Sequence, residues 1–343
     1  MRILLGMSGG LDSTYAALKL IEQGHTVEGA VLKMHAYTET GDACRAAESL
    51  GIPIHVIDCS EEFEKNVISD FLLQYPKGRT PNPCIVCNST VKFRFLLEYA
   101  RKNGFDRIAT GHYSRVVTRL DRGELRYTLA DCADSKKDQT YVLYRLSQDV
   151  LSNLILPLSD SEKSEIREIA LAKGLFAAEK SESQEICFIP TGDYASYIEE
   201  RVGKIPPGFF INNEGNVLGE HKGIIHYTVG QRKGLGIALG TRVFVTEIDP
   251  VANTVKLSEF DSFKDEIYVS DMNFLGMSEP DVGEQIELSV KIRYLAPKVA
   301  CTLTYLGGGR AKVNICKPQR AVTPGQSAVF YVETAIARGG YIE

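Results

Sequence analysis

The sequence predicts an α/β protein with an N-terminal doubly wound parallel sheet, a small β-rich central domain and a C-terminal β-barrel. Strand and helix patterns alternate with short connections in the first part of the chain, which is typical of a parallel sheet covered by helices on both faces. A glycine-rich loop follows the first strand. Near Gly192 the helical patterns end, and short alternating strands separated by glycine-rich turns begin.

Each N-terminal element has its own pattern. The run RILLG at 2–6 is typical of a buried strand, and Leu11, Tyr15 and Leu18 then recur at helical spacing. Ser60 opens another helix with acidic residues in its first turn. We expect strands at 2–6, 27–33, 52–58 and 107–111, and helices at 11–24, 40–51, 60–75, 138–154 and 161–175. Ligands should bind beyond the carboxyl ends of these strands.

The β-rich part contains segments that alternate apolar and polar residues. They lie at 241–249, 253–259, 285–295 and 311–316. We therefore divide the chain into an α/β domain at 1–195, a central β domain at 200–258 and a terminal β-barrel at 260–343.

Length and composition indicate a cytosolic protein of two or three domains. The 343 residues are 44% hydrophobic, which is enough for substantial cores. No hydrophobic run approaches the roughly 20 residues of a membrane span, and the start MRILLG lacks the features of a signal peptide. In a reducing compartment, catalytic or metal-binding use of the eight cysteines is favoured over structural disulfides.

The charge of the chain is unevenly distributed. The net charge is −5, yet the stretch 291–320 has seven Lys or Arg and no Asp or Glu. Such a stretch suits the binding of a polyanion. A solvated β-hairpin whose counter-charges come from elsewhere in the chain is the alternative.

The loop GMSGGLDS at 6–13 has the composition of a phosphate-binding turn. Its two central glycines let the backbone approach an anion, while the loop and helix N–H groups point towards it. The serines add hydroxyl donors, and the Asp12 carboxylate is suited to hold Mg²⁺ against the phosphates. The Gly-Lys-Ser/Thr ending of a Walker A sequence is absent. The alternative is an ordinary tight turn before a helix.

Three cysteines stand in distinctive contexts. Cys84 and Cys87 lie three residues apart behind two prolines, and Cys187 lies in SESQEICFIP at 181–190. Neither context has a histidine at zinc-finger spacing, so a zinc site made of four local ligands is not expected.

These contexts belong to a set of motifs that resembles the tRNA-specific 2-thiouridylase family over essentially the whole chain. The motifs are GMSGGLDS, TPNPCIVCN, ATGHYSR, KKDQTYVLYRL, SESQEICFIP and HYTVGQRKGLGI, in that order. The resemblance implies an adenine nucleotide alpha hydrolase-like fold with a PP-loop ATP pyrophosphatase domain at 1–195. It also implies that the terminal barrel binds tRNA.

The implied reaction is ATP-dependent sulfur transfer to C2 of the wobble uridine in the tRNAs for Lys, Glu and Gln. ATP, with Mg²⁺, adenylates the uridine oxygen, and AMP leaves when sulfur attacks. By resemblance, Cys187 carries sulfur as a persulfide from a cysteine desulfurase or relay protein. Cys87 attacks that persulfide, and an alternate Cys87–Cys187 disulfide is implied. The implied ATP-binding residues are Gly6, Met7, Ser8, Gly9, Gly10, Leu11, Asp12, Ser13, Leu32 and Gly111.

The resemblance also implies a set of tRNA contacts. Asn82, Pro83 and Cys84 match the segment that meets the flipped target base. Further matching positions, in the α/β domain and in the terminal barrel, are His112, Lys137, Asp138, Gln139, Arg293, Tyr294 and Gln326.

Cys84 is a departure, because the widespread form of the motif has an aspartate there that acts as a general acid or base. Two interpretations stay open. Cys84 either replaces the base in a persulfide relay, or joins Cys87 and Cys187 as ligands of a [4Fe–4S] cluster with one open iron. Zinc on the three thiols is a weaker option. Smaller departures are Leu32, where the family usually has a methionine, and His35, where it usually has an aromatic residue.

Two rival functions remain at this point. One is another adenylating ligase that uses the same loop, although such an enzyme would need neither Cys187 nor a basic barrel. The other is a tRNA-interaction protein that binds a cluster or zinc without turnover, which the phosphate-binding loop argues against.

Overall fold

In the computed structural model, which describes residues 1–175, 177 and 186–343, an α/β unit is followed by two β-rich units. The α-helices are α1 Leu11–Glu22, α2 Gly41–Ser49, α3 Ser60–Phe63, α4 Ser69–Gln74, α5 Pro83–Cys87, α6 Phe93–Lys102, α7 Thr140–Leu143, α8 Gln148–Ser152, α9 Lys163–Ala172 and α10 Tyr194–Val202. Two π-helical turns, Glu64–Ile68 and Asn88–Lys92, join α3 to α4 and α5 to α6.

The strands fall into three sheets. The strands are β1 Arg2–Gly6, β2 Thr26–Lys33, β3 Ile54–Asp58, β4 Arg107–Thr110, β5 Arg115–Asp121, β6 Glu124–Ala130, β7 Leu154–Ile155, β8 Gly208–Ile211, β9 Val217–His221, β10 Phe244–Asp249, β11 Thr254–Ser258, β12 Phe263–Asn273, β13 Gln285–Lys291, β14 Val299–Gly307, β15 Arg310–Arg320, β16 Ser327–Val332 and β17 Ala335–Ile342.

The N-terminal sheet is parallel throughout and has the order β3-β2-β1-β4-β7. Side chains of β1 alternate between its faces. Leu4 packs with the helices from α3 to α6, whereas Ile3 and Leu5 pack with α1, α2 and α9. Because both faces of β1 are covered, Ile3, Leu4 and Leu5 at its centre are apolar and fully buried. The predicted doubly wound sheet is confirmed.

Two parts of the α/β unit differ from the sequence prediction. The helix expected at 138–154 is instead the two short helices α7 and α8 followed by the edge strand β7. The Ser147 hydroxyl caps α8 by accepting from Val150 N at 3.2 Å, which starts a new helix there. A hairpin of β5 and β6, not expected from the sequence, leaves this unit and pairs with β17.

The last six strands form the predicted barrel. Their order is β12-β15-β14-β13-β16-β17, and β17 pairs antiparallel with β12 to close the circle. The central unit is a separate sheet with the order β10-β11-β8-β9. Closure leaves no free edge within the barrel, and the β5–β6 hairpin extends the sheet from β17.

The barrel is docked on the α/β unit through two fully buried tyrosines of the KKDQTYVLYRL motif. The Tyr141 hydroxyl donates to Ser327 O at 2.9 Å and accepts from Ser327 N at 3.2 Å. The Tyr144 hydroxyl lies 3.1 Å from Ser327 Oγ, and its ring packs so closely on Gly339 that a Cβ there would lie 2.5 Å from the ring. This motif therefore has a structural role that its sequence did not reveal.

No helix in the described part of the chain has both the length and the apolar character needed to cross a membrane.

We expect Tyr141→Phe to lower the free energy of unfolding by about 1–3 kcal/mol, because both polar groups of the buried Ser327 backbone lose a partner. Urea denaturation followed by circular dichroism measures the change. Tyr37→Phe is the control, since the Tyr37 ring is exposed and its loss of a hydroxyl should have little effect. Equal stability of the two variants would contradict the docking role of Tyr141.

Candidate active site

A cavity of about 300 Å³ opens at the carboxyl ends of β1, β2 and β4. This is the edge at which parallel α/β sheets bind ligands. Seven of the ten residues predicted to bind ATP line it: Gly6, Met7, Ser8, Asp12, Ser13, Leu32 and Gly111. Of the other three, Leu11 is buried in the core beneath the loop.

Hydrogen bonds hold the phosphate-binding loop in one shape. Ser13 Oγ accepts from Ser8 N at 3.2 Å and donates to Gly10 O at 3.1 Å. Gly10 N donates to Ser8 Oγ at 3.3 Å, and Gly10 is the N-cap of α1 in an extended conformation. The predicted serines thus organise the loop as well as facing the cavity, where they lie beside the positive end of the α1 dipole.

Gly111 lines the cavity at the point where the backbone after β4 comes very close to the end of the loop 6–13. A Cβ at this position would lie 2.8 Å from Asp12 C and 2.9 Å from Ser13 N. No side chain fits between these two segments, so glycine is required where the end of β4 meets the start of α1. Gly111 thus lines the cavity at the end of β4, and its approach to a nucleotide stays a prediction.

Two partners of Asp12 were not found from the sequence. Lys163 Nζ, at the start of α9, lies 2.5 Å from Asp12 Oδ1, and the Tyr113 hydroxyl donates to the same oxygen at 2.6 Å. The Lys163 side chain is only 10% exposed. A buried cation therefore stands at the phosphate-binding loop, and the carboxylate predicted to hold Mg²⁺ already pairs with it. Lys163 lies 151 residues along the chain, so local spacing gave no signal.

His112 and Lys92 form the side of the cavity that faces the cysteines. Thr110 Oγ1 lies 2.8 Å from His112 Nδ1, and the imidazole packs against Phe93. Desolvation lowers the pKa of His112 to about 3, and the positive charge of Lys92 acts in the same direction. His112 is therefore neutral at physiological pH. Lys92, a second cation that the sequence did not single out, lines the cavity five residues after Cys87.

The segment Asn82–Cys87 presents its two thiols differently. Asn82 caps α5, because its Oδ1 accepts from Cys84 N at 3.1 Å. Pro83 is buried in the first turn, Cys84 is exposed, and Cys87 is buried with its Sγ 3.7 Å from Met34 Sδ. Met34 also lines the cavity of about 300 Å³, which we call the nucleotide cavity because residues predicted to bind ATP line it. Cys87 is therefore one side chain away from that cavity.

Cys187 is exposed and lies within electrostatic range of both other thiols. Desolvation by surrounding protein raises its pKa to about 12, and the nearby Cys87 and Cys84 act in the same direction while Lys92 opposes them. Burial likewise raises the pKa of Cys87, and Lys92 partly offsets this effect. Both groups are thus thiols rather than thiolates in this state. Residues 181–185 of the Cys187 motif lie outside the described residues.

The three thiols do not form a metal site in this conformation. Among the described residues, which include all three cysteines, no group of three or more Cys, His, Asp or Glu side chains is placed to hold a metal ion. The arrangement therefore does not fit the three-thiolate cluster considered from the sequence, nor zinc on the same thiols.

The KDQ and RY segments, which are distant in sequence, meet at a second cavity of about 460 Å³. Asp138, Lys291 and Tyr294 all line it. Burial raises the pKa of Asp138, although Thr140 Oγ1 donates to its Oδ1 at 2.5 Å. Gln139 instead turns towards the first cavity, where its Oε1 accepts from Tyr113 N at 2.9 Å. Lys137 precedes Asp138, and Arg293 precedes Tyr294.

The basic stretch at 291–320 is less free than its sequence suggests. Four of its seven cations pair with carboxylates from elsewhere in the chain: Lys298 with Asp131, Arg310 with Glu343, Lys312 with Glu266, and Arg320 with Asp261. The alternative of counter-charges from elsewhere in the chain is therefore correct for these four cations, and polyanion binding stays a prediction. Among the described residues, Arg293 and Lys317 form no ion pair, whereas Lys291 lines the second cavity within electrostatic range of Asp138 and Asp131.

Gln326 does not line the second cavity and lies instead beside the segment that precedes Asn82–Cys84. It belongs to the turn between β15 and β16, and its Nε2 donates to Thr80 O at 2.8 Å. Thr80 starts the segment that leads to Cys84. The barrel therefore contacts the cysteine segment directly through this residue.

Models of three domains match the chain in succession. A tRNA methyl transferase HUP domain matches residues 1–191, a tRNA methyl transferase PRC-barrel domain matches 195–259, and an aminomethyltransferase beta-barrel domain matches 264–342.

Full-length relatives have a more specific name. The tRNA-specific 2-thiouridylase MnmA of Acetivibrio thermocellus is 43% identical, covering 100% of this chain and 99% of the relative. The protein of that name from Carboxydothermus hydrogenoformans is 44% identical, covering 100% and 97%. A solved 4-thiouridine synthetase–RNA complex with bound ATP is also similar, with 18% identity, a TM-score of 0.39, and coverage of 59% of this chain and 50% of that one.

We expect Lys163→Met to lower kcat/KM for ATP about tenfold or more, because the loop loses a buried charged hydrogen bond. Pyrophosphate release at limiting ATP measures the change. Lys173→Met is the matched control, since Lys173 also links α9 to α1, through an exposed ion pair with Glu22. Similar losses in both variants would show that Lys163 matters only for holding the helices together.

Proposed function

Because the chain belongs to the tRNA-specific 2-thiouridylase family, we propose that it replaces oxygen by sulfur at C2 of the wobble uridine in the tRNAs for Lys, Glu and Gln, with ATP as the activating substrate. The proposal rests above all on one contact, between Cys87 Sγ and Met34 Sδ. Met34 lines the nucleotide cavity, so a thiol and an ATP-sized site adjoin each other. Full-length identity of 43–44% to relatives with this name supports the substrate.

In the first step the uridine O2 attacks the α-phosphorus of ATP, and pyrophosphate leaves. The loop N–H groups and the start of α1 hold the phosphates, while Leu32 offers apolar surface to the adenine. Lys163 adds positive charge where charge accumulates on the leaving pyrophosphate. The product is a uridine whose oxygen now leaves readily as part of AMP.

In the second step sulfur replaces that oxygen. The terminal sulfur of a Cys187 persulfide attacks C2, the C2–O bond breaks, and AMP carries the oxygen away. The Cys87 thiolate then attacks Cys187 Sγ, which breaks the S–S bond and leaves 2-thiouridine and a Cys87–Cys187 disulfide. An external thiol reductant supplies two electrons to restore both cysteines.

The raised pKa values of Cys87 and Cys187 affect how readily these thiols react in the second step. A thiol is a poor nucleophile until it loses its proton. Lys92 is the cation that lowers the pKa of Cys87 and of Cys187, opposing desolvation. We infer that the positive charge of Lys92 is what favours the thiolate form of both cysteines during the reaction.

Mg²⁺ and the sulfur carrier belong to this proposal. Asp12 lines the cavity, and we propose that its carboxylate would hold Mg²⁺ beside the phosphates, where the ion would neutralise pyrophosphate charge. For sulfur we favour the persulfide relay over a cluster, because the described thiols form no ligand set. Cys84 then replaces the base of the widespread motif. A cysteine desulfurase or a relay protein supplies the sulfur, and the exposure of Cys187 allows such delivery.

For tRNA we propose one continuous face. The Asn82–Cys84 segment would meet the flipped uridine. The second cavity, with Lys291 and Tyr294, would hold the tRNA backbone together with Arg293, which precedes Tyr294 in the chain. His112 borders the nucleotide cavity, where a neutral imidazole can contact the target base. A cytoplasmic location follows from the tRNA substrate and remains part of the proposal.

We expect Cys187→Ser to abolish 2-thiouridine formation while AMP formation from ATP and tRNA continues, because adenylation precedes the need for sulfur. Mass spectrometry of digested tRNA and quantification of AMP measure the two steps. Cys316→Ser, which removes an exposed thiol of the barrel, should retain both activities.

Full thiolation by Cys187→Ser with every sulfur donor would contradict the proposed chemistry. Iron analysis of protein purified without oxygen distinguishes the persulfide relay from an iron–sulfur cluster. Near-stoichiometric iron that disappears in Cys84→Ala would favour a cluster, and its absence in an active preparation supports the persulfide.

A further inference from the structure

The cysteine segment depends on the two β-rich units for its position. Between the 3₁₀ turn Tyr75–Lys77 and α5, residues 78–82 belong to no helix or strand. Their backbone polar groups therefore need partners elsewhere. Thr80 obtains them from the barrel, since its N–H donates to Pro324 O at 2.9 Å and its carbonyl accepts from Gln326 Nε2 at 2.8 Å.

The turn that supplies these partners is itself firmly held. Gln326 N donates to Thr323 O at 3.2 Å, and Gln326 O accepts from Ile342 N at 2.8 Å. Gly325, with φ at +88°, packs so closely that a Cβ would lie 3.0 Å from Thr80 N. The barrel turn and the cysteine segment thus approach as closely as backbone allows.

The central unit contacts the same residue from another side. The Thr80 hydroxyl donates to Thr228 Oγ1 at 3.3 Å. Thr80, a residue of the α/β unit four positions before Cys84, is therefore hydrogen-bonded to both β-rich units. Since α5 has only five residues, its orientation depends on how its first turn is anchored.

We propose that Gln326 is a positioning residue for the thiol chemistry: through Thr80 it sets the place of the Cys84–Cys87 helix, so that the barrel controls the geometry of sulfur transfer. The proposal builds on the function given above but assigns Gln326 a role beyond any contact with tRNA. Small displacements of a reacting group cost large factors in rate, which is why one hydrogen bond at this point matters.

The test uses Gln326→Met, which keeps the length of the side chain, removes the donor and adds no charge. Gln319→Met is the matched control, because Gln319 Nε2 donates only to nearby carbonyls at the end of β15. In hydrogen–deuterium exchange of the free protein, we expect residues 78–88 to exchange about tenfold faster in Gln326→Met and unchanged in the control. Thr228→Val should give a smaller change in the same direction.

A second measurement separates positioning from tRNA binding. In single-turnover thiolation at saturating tRNA and ATP, Gln326→Met should slow the rate constant about tenfold, with the tRNA Kd changed less than about twofold. A weakened Kd with an unchanged rate constant would overturn the proposal and make Gln326 a simple tRNA contact. Unchanged exchange at 78–88 would overturn it as well. If wild-type protein formed no 2-thiouridine, the proposed function would fail, whereas the exchange experiment would still decide whether Gln326 positions the segment.

Discussion

The placement of the short cysteine helix α5 is the constraint on which the account depends. A helix of five residues has little stability of its own, so neighbouring contacts must determine where its thiols lie. Asn82 caps its start, and Cys87 is buried against Met34 at its end. The π-helical turn Asn88–Lys92 then continues it into α6. These contacts place the Cys87 thiol behind Met34, one side chain away from the cavity, and leave Cys84 exposed.

The site has two regions that differ in their charges: the loop 6–13 with its ion pair, and the cysteines with their raised pKa values. At the loop 6–13, the buried Lys163 forms an ion pair with Asp12. At the cysteines, desolvation dominates and raises the pKa of Cys87 and Cys187. Lys92 lies between the two regions and acts on both. The loop region thus holds a buried ion pair, whereas the thiols in the cysteine region are protonated.

Local sequence patterns predicted the parallel sheet and the location of the loop 6–13, because residues close together in the chain determine these features. The alternating strands and helices gave the parallel sheet, and the loop at 6–13 lies where its composition indicated. Gly111 was identified by its motif, and the structure supplies the physical reason, a backbone approach that excludes a Cβ. Leu32 lines the cavity as expected despite its departure from the usual methionine.

The remaining features depend on contacts between distant residues, for which spacing carries no signal. Lys163 reaches Asp12 across 151 residues, and Gln326 reaches Thr80 across 246. The pairing of Arg310 with Glu343 and of Lys312 with Glu266 similarly neutralises cations that looked free in the sequence. The prediction of one helix at 138–154 was wrong for a related reason. Tyr141 and Tyr144 have helical spacing, but both are buried because they contact Ser327 of the barrel, and the segment forms two short helices.

The most direct test of the central claim is the stoichiometry of a single turnover. Protein loaded with one persulfide per chain is mixed with ATP and a tRNA transcript that has uridine at the wobble position, and AMP, pyrophosphate and 2-thiouridine are quantified together. The account predicts equal amounts of all three, and none of the thiolated product with cytidine at that position. Formation of 2-thiouridine without matching AMP would contradict the coupling of adenylation to sulfur transfer.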